Sequence, residues 1–199
     1  MNFTSKNELG KPGHLLVARG EKTITRRIFK RKCPKCKKPM SIEWGSRRLE
    51  GEQKNLLVAI CDDCEIQRKV LAVGDLIAVC PGRGKGPAVC VCGGLPVKII
   101  DQLGEEPTTE HFMCSGTPQK SCDKYRPLRV RVKSLMRHRD WERLIGQKML
   151  EYGGRSRDSV LCEEAHDEGF SSVEKWLAFY PEHGEKIDET WRIEIELLK

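Results

Sequence analysis

Two short cysteine pairs constrain this chain more than any other feature. Cys33-Pro-Lys-Cys36 and Cys61-Asp-Asp-Cys64 are separated by 24 residues. A C-x-x-C pair points two sulfurs at one ion from a tight turn, and two such turns complete a tetrahedral four-thiolate site. A redox dithiol needs only one pair, and simple packing would not impose the spacing. The spacer SIEWGSRRLEGEQKNLLVAI is long enough for a β-hairpin. The expectation is therefore a zinc ribbon over residues 30–69, a hairpin closed at its base by zinc. Four protein ligands leave no position for water, which makes this zinc structural rather than catalytic.

The other cysteines read less directly. The chain has ten in all. Cys90 and Cys92 point the same way in a regular strand but stand too far apart to share an ion unless the backbone bends, which the following Gly93-Gly94 permits. With Cys114 and Cys122 they form a candidate second four-cysteine site in an insertion spanning residues 81–126, with Cys80 or His111 as substitute ligands. The segment from Pro81 to Pro127 has little apolar content to hold it without a metal. Cys162, inside a helical pattern, reads as core.

Metal ligation is the expected use of these thiols because the chain reads as intracellular and cytoplasmic. Mean hydropathy is −0.53, the opening MNFTSKNELG has no apolar core of a signal peptide, and no apolar run approaches the roughly 18 residues of a membrane span. No membrane partner is expected.

Charge is distributed unevenly. Residues 1–137 hold 27 Lys/Arg against 14 Asp/Glu, whereas residues 138–199 hold 9 against 15. The densest basic run, Lys22 to Lys38, contains Lys22, Arg26, Arg27, Lys30, Arg31, Lys32, Lys35, Lys37 and Lys38 with no acid. Set beside a metal-binding turn, such a run favours a polyanionic partner over a plain solvated face.

Local patterns supply the elements. PGHLLVARG predicts a short helix ending at Gly20, and KTITRRIF a strand. LLVAIC, LIAVC and LRVRVKSL are further strand candidates. RDWERLIGQKMLEY, DSVLCEEAHDEGF and SSVEKWLAFY have helical spacing, the last with Ser171 and Glu174 placed as a capping box. TWRIEIELL alternates, with Trp191, Ile193, Ile195 and Leu197 on one face and Arg192, Glu194 and Glu196 on the other. The segments PGRGKGP and SGTPQKSCDKYRP bracket an irregular insertion.

With the two insertions set aside, the order helix, GEKTITRR, VGDLIAV, RVRVKSL, EEAHDEGFSSVEKW, WRIEIEL resembles the ASCH domain of the PUA-like superfamily. The resemblance implies an α+β fold, a small β-barrel with flanking helices assembled from residues 1–29, 70–80 and 127–199. It also implies RNA binding and, for a few members, hydrolysis of an acylated cytidine by a lysine, a threonine and a glutamate. The matching positions are Lys22, Thr25 and Glu168, with Glu163 and Glu164 close to the last.

Three readings follow. In the first, the chain is a zinc-containing module that binds RNA or another single-stranded nucleic acid, with Lys22, Arg26 and Arg27 in the barrel cleft and Lys37, Lys38, Arg47 and Arg48 on the ribbon. In the second it is a hydrolase of a modified nucleoside or an RNA linkage, using Lys22, Thr25 and Glu168. In the third the ribbon docks a protein partner, with Trp44 either an exposed anchor or a cover for the hairpin's small core.

Overall fold

The computed structural model describes residues 13–49, 52–80, 87–101, 109–115, 125–137, 140, 143, 145–146, 156–182 and 189–198. Contacts divide the chain into two compact units, one of Met1–Lys22, Leu76–Val130 and Leu197–Lys199, the other of Thr23–Asp75 and Arg131–Glu196. The class is α+β, with antiparallel pairing throughout the registers of the named strands.

The first unit begins with α1 (Gly13–Arg19), which buries Leu16 and Val17. Gly20 ends the helix as its sequence predicts. It takes φ +77, open to glycine without a Cβ penalty, and its amide returns to the Val17 carbonyl. The remaining elements are β5 (Leu76–Ala78), a hairpin of β6 (Pro96–Asp101) and β7 (Thr109–Cys114), and the opening of β8 (Arg129–Arg137). The hairpin falls in the segment read as irregular. Its sequence signal is hidden because its two strands, PVKIID and TEHFMC, are joined across residues 102–108, EEP among them, rather than by a tight Asn-Gly turn.

The second unit holds β1 (Ile24–Arg27), the last part of β8 and β9 (Trp191–Leu198) as far as Glu196, with β9 between the other two. It also holds a second sheet of β2 (Ser41–Leu49), β3 (Glu52–Cys61) and β4 (Ile66–Ala72) in the order β2-β3-β4, the expected ribbon hairpin plus one strand. Two helices follow, α2 (Arg157–Asp167) and α3 (Val173–Glu182). Their core comprises Ile145, Val160, Ala165, Phe170, Trp176 and Tyr180. Among the described residues no sheet closes into a barrel. A closed barrel requires staggered pairing all the way round, and β1 and β5 contribute only 4 and 3 residues. The expected helix over RDWERLIGQKMLEY lies mostly outside the described residues.

Three local expectations change. Ser172, not Ser171, caps α3. Its hydroxyl accepts from the Lys175 amide at 3.4 Å, whereas Ser171 meets the Lys175 ammonium. The position three residues into the helix is thus Lys175 and there is no capping box. Cys162 is exposed rather than core. Arg192, assigned to the polar face of β9, is buried, because α2 covers that face and supplies Glu164 as a partner.

Candidate metal centre and basic surface

The two cysteine pairs converge. The sulfurs of Cys33, Cys36, Cys61 and Cys64 all lie within 4.8 Å of one another. Metal–sulfur bonds of about 2.3 Å in a tetrahedron imply sulfur–sulfur edges of about 3.8 Å. The Cys36–Cys61 separation is 3.6 Å. The geometry therefore fits a soft divalent ion.

Both turns are built alike. After Cys36 comes Lys37 with φ 62, and after Cys64 comes Glu65 with φ 55, the two non-glycine residues with positive φ among those described. In the first turn the Lys37 amide donates to the Cys33 carbonyl at 3.0 Å. In the second the Glu65 amide donates to the Asp62 carbonyl at 3.3 Å. Left-handed backbone costs a side-chain-bearing residue roughly 1–2 kcal/mol, and paying it twice at equivalent positions indicates that both turns are bent toward one centre. Met40 and Ala59 are buried against the cluster, with Ile42, Ile66 and Val70 packed on it.

Four thiols this close cannot all ionise without a cation. The Cys36 amide donates to the Cys33 sulfur and brings that thiol down to about 6. Burial pushes the Cys61 thiol up to about 12 and raises that of Cys64. A divalent ion removes this conflict by holding all four as thiolates.

A second cluster occupies the first unit. Cys90, Cys92 and Cys114 place their sulfurs within 4.8 Å of one another, with Cys92 and Cys114 at 3.2 Å. The bend that Cys90 and Cys92 require is present. Gly93 takes φ +87 and donates its amide to the Cys90 carbonyl at 2.8 Å. A Cβ at Gly93 would also lie 3.2 Å from the Leu15 side chain of α1, so the position is restricted twice. The amides of Gly94 and Arg126 point at the Cys92 and Cys90 sulfurs, at 3.4 Å each. Cys80 is close enough that it, with Cys90 and Cys114, adds to the burial that raises the Tyr125 phenol pKa. Cys122 and the His111 side chain lie outside the described residues.

Of the residues matched to hydrolysis, Lys22, Thr25 and Glu168 are all buried. Lys22 belongs to the first unit, where it is buried at the α1 corner with its amide directed to the Leu16 carbonyl. Thr25 and Arg26 are neighbours on β1 and so point to opposite sides of the sheet. Glu168 accepts from the Arg26 backbone amide as well as from its guanidinium.

Sequence reasoning missed what Arg26 and Glu168 do. Glu164 and Glu168 stand four apart at the end of α2, on one helix face. Arg26 donates from Nη1 and from its backbone amide to Glu168, and from Nη2 to Glu164 at 2.9 Å. Trp176 Nε1 and Tyr180 Oη also donate to Glu168, at 2.7 and 2.6 Å. Arg192 grips Glu164 through Nε and Nη2. The Arg26 guanidinium stacks 4.6 Å from the Trp176 ring. Burial opposes its charge, yet Glu168 and Glu164 more than offset this and raise its pKa. Glu164 is likewise lowered despite burial, chiefly by Arg192. Only 2% exposed, Arg26 is an internal cation rather than the cleft contact to a phosphate or base expected of it.

The outward cations lie elsewhere. Arg27 is half-buried. Lys37 donates to the Pro34 carbonyl at 2.9 Å and Lys38 pairs with Asp63, both beside the cysteine cluster. Arg47 and Arg48 fall in β2 opposite Lys54 and Gln53, with side chains outside the described residues. A hollow of about 360 Å³ on the ribbon is lined by Lys30, Arg31, Lys32, Arg68 and Lys69 around Met40, Ala59 and Val70. Lys69 pairs with Asp75. Among the described residues no acid pairs with the other four. Lys30, Arg31 and Lys32 belong to the basic run, but Arg68 and Lys69 join them only because β4 folds back along β3.

No helix among the described residues is long and apolar enough to cross a membrane. No protein-family model, curated protein or solved structure matches the chain.

Proposed function

We propose that this is a zinc protein that binds RNA or another polynucleotide through the basic hollow of its ribbon. The observation that carries the reading is the convergence of Lys30, Arg31, Lys32, Arg68 and Lys69 on one concave surface. Such a surface attracts polyanions, and each phosphate it neutralises releases condensed counterions. Zinc is the ion of choice for four thiolates with near-tetrahedral spacing, and its role is to hold the ribbon that displays these cations. The cleft role expected of Arg26 passes to this surface, since Arg26 is enclosed by two carboxylates.

The test is binding of a single-stranded RNA across a salt series. Arg31→Ala and Arg68→Ala each weaken binding and reduce the salt slope by about 1 or slightly less. Salt-independent binding, or unchanged affinity in both variants, refutes the assignment.

A further inference from the structure

Next to the basic hollow, and sharing Met40 with it, is a second hollow of about 390 Å³. That volume is typical of a small-molecule site, about 300–1,000 Å³. Its lining is of a different kind. Phe29, Ile42 and Trp191 supply flat or branched apolar walls, and Arg137 and Glu189 supply polar groups of opposite sign. The Trp191 ring is held edge-to-face by Trp44 at 5.3 Å and carries the Arg137 guanidinium at 5.0 Å. The Nε–H of Arg137 is buried and has no hydrogen-bond partner among the described residues. The side chain as a whole is half-buried and lines the hollow, so its Nη groups are the donors that an acceptor there can meet.

A phosphate is disfavoured here by the Glu189 carboxylate. A nucleobase suits every feature, because its faces match the apolar walls, its carbonyl or ring nitrogen accepts from Arg137, and its exocyclic amine donates to Glu189. We infer that this hollow receives one unstacked nucleobase of the strand whose phosphates lie in the basic hollow. The inference rests on the polynucleotide reading and extends it, since a base held this way has left its stack. The surface therefore prefers single strands or unpaired nucleotides to a perfect duplex.

The experiment compares full-length, metal-loaded protein binding to three fluorescent probes over a salt series: a short single-stranded RNA, the same strand with its bases removed, and the perfect duplex. The abasic strand is expected to bind roughly tenfold or more weakly, as loss of base–aromatic stacking implies, with an unchanged salt slope. Phe29→Ala and Arg137→Met should abolish the difference between base-bearing and abasic strands and leave the salt slope intact. Arg31→Ala and Arg68→Ala should do the reverse. Equal binding of the two strands by the unmodified protein overturns the base site while the polynucleotide reading stands. Salt-independent binding of both strands, or none, overturns the polynucleotide reading and the base site with it. If the variants do not fold, as checked by circular dichroism and metal content, the comparison on unmodified protein decides alone.

Discussion

Replacing Arg26 with alanine separates two views of its charge. On a solvent-facing strand the change would leave stability almost untouched and remove one phosphate contact. In this structure the guanidinium bridges Glu164 and Glu168, with side-chain exposures of 0%, 1% and 4%. Removing one partner of a buried ion pair costs about 3–5 kcal/mol, because the remaining charge is left uncompensated. The two carboxylates are affected unequally. Glu164 keeps the fork of Arg192 at 2.6–3.1 Å. Glu168 retains the Trp176 and Tyr180 donors and the backbone amide of residue 26 but loses its cation. The loss for Arg26→Ala should therefore fall in that range of about 3–5 kcal/mol. Glu168→Ala should be worse, since it takes the acceptor from Trp176, from Tyr180 and from the Nη1 and backbone amide of Arg26 together, at about 1–3 kcal/mol each, although Arg26 keeps Glu164. That approaches the whole stability of a domain, about 5–15 kcal/mol. The assay is urea denaturation at neutral pH, followed by tryptophan fluorescence. A loss below about 1 kcal/mol for Arg26→Ala, the level of a surface ion pair, would refute the buried-network argument.

Protein purified without chelators should carry a metal at the first cysteine cluster, and Cys33→Ser or Cys64→Ser should release it and lose the amide-exchange protection of β2-β3-β4, because so small a cluster core does not hold without its ion; metal-free protein with intact protection would refute this. Metal analysis should also show a second equivalent, lost in Cys92→Ser, and a stoichiometry of one would dismiss the Cys90–Cys92–Cys114 centre. Glu65→Gly should raise stability by up to about 1 kcal/mol, the left-handed penalty less the added chain entropy of glycine, and a lower denaturation midpoint would count against the strained turn. Ser172→Ala should cost about 1 kcal/mol and Ser171→Ala much less, so equal losses would contradict the cap assignment. On acidification, Glu164 has a folded pKa below its ordinary 4.5; its contribution is complete above about pH 4.5 and disappears as pH falls through the lowered value, so stability unchanged on going from pH 5 to pH 2 would refute the pairing.

The features legible in the sequence are those set by near neighbours. Two C-x-x-C turns carry their chemistry within four residues each, so the convergence of Cys33, Cys36, Cys61 and Cys64 could be anticipated from spacing. The Gly20 helix end and the alternation of Trp191, Ile193 and Ile195 are equally local. What escaped depends on partners far along the chain. Arg26 and Arg192 look like surface cations on β-strands, and nothing nearby distinguishes them from Lys30 or Arg31. Their burial is decided by Glu164 and Glu168, which lie 138 and 142 residues from Arg26 and 28 and 24 from Arg192. The basic hollow depends in the same way on β4 bringing Arg68 and Lys69 beside the Lys30–Lys32 segment. Charge in a sequence counts the cations available. Only the tertiary structure decides which of them lose water to an internal carboxylate and which keep it for a partner, because desolvation is a property of the packed surroundings and not of the residue.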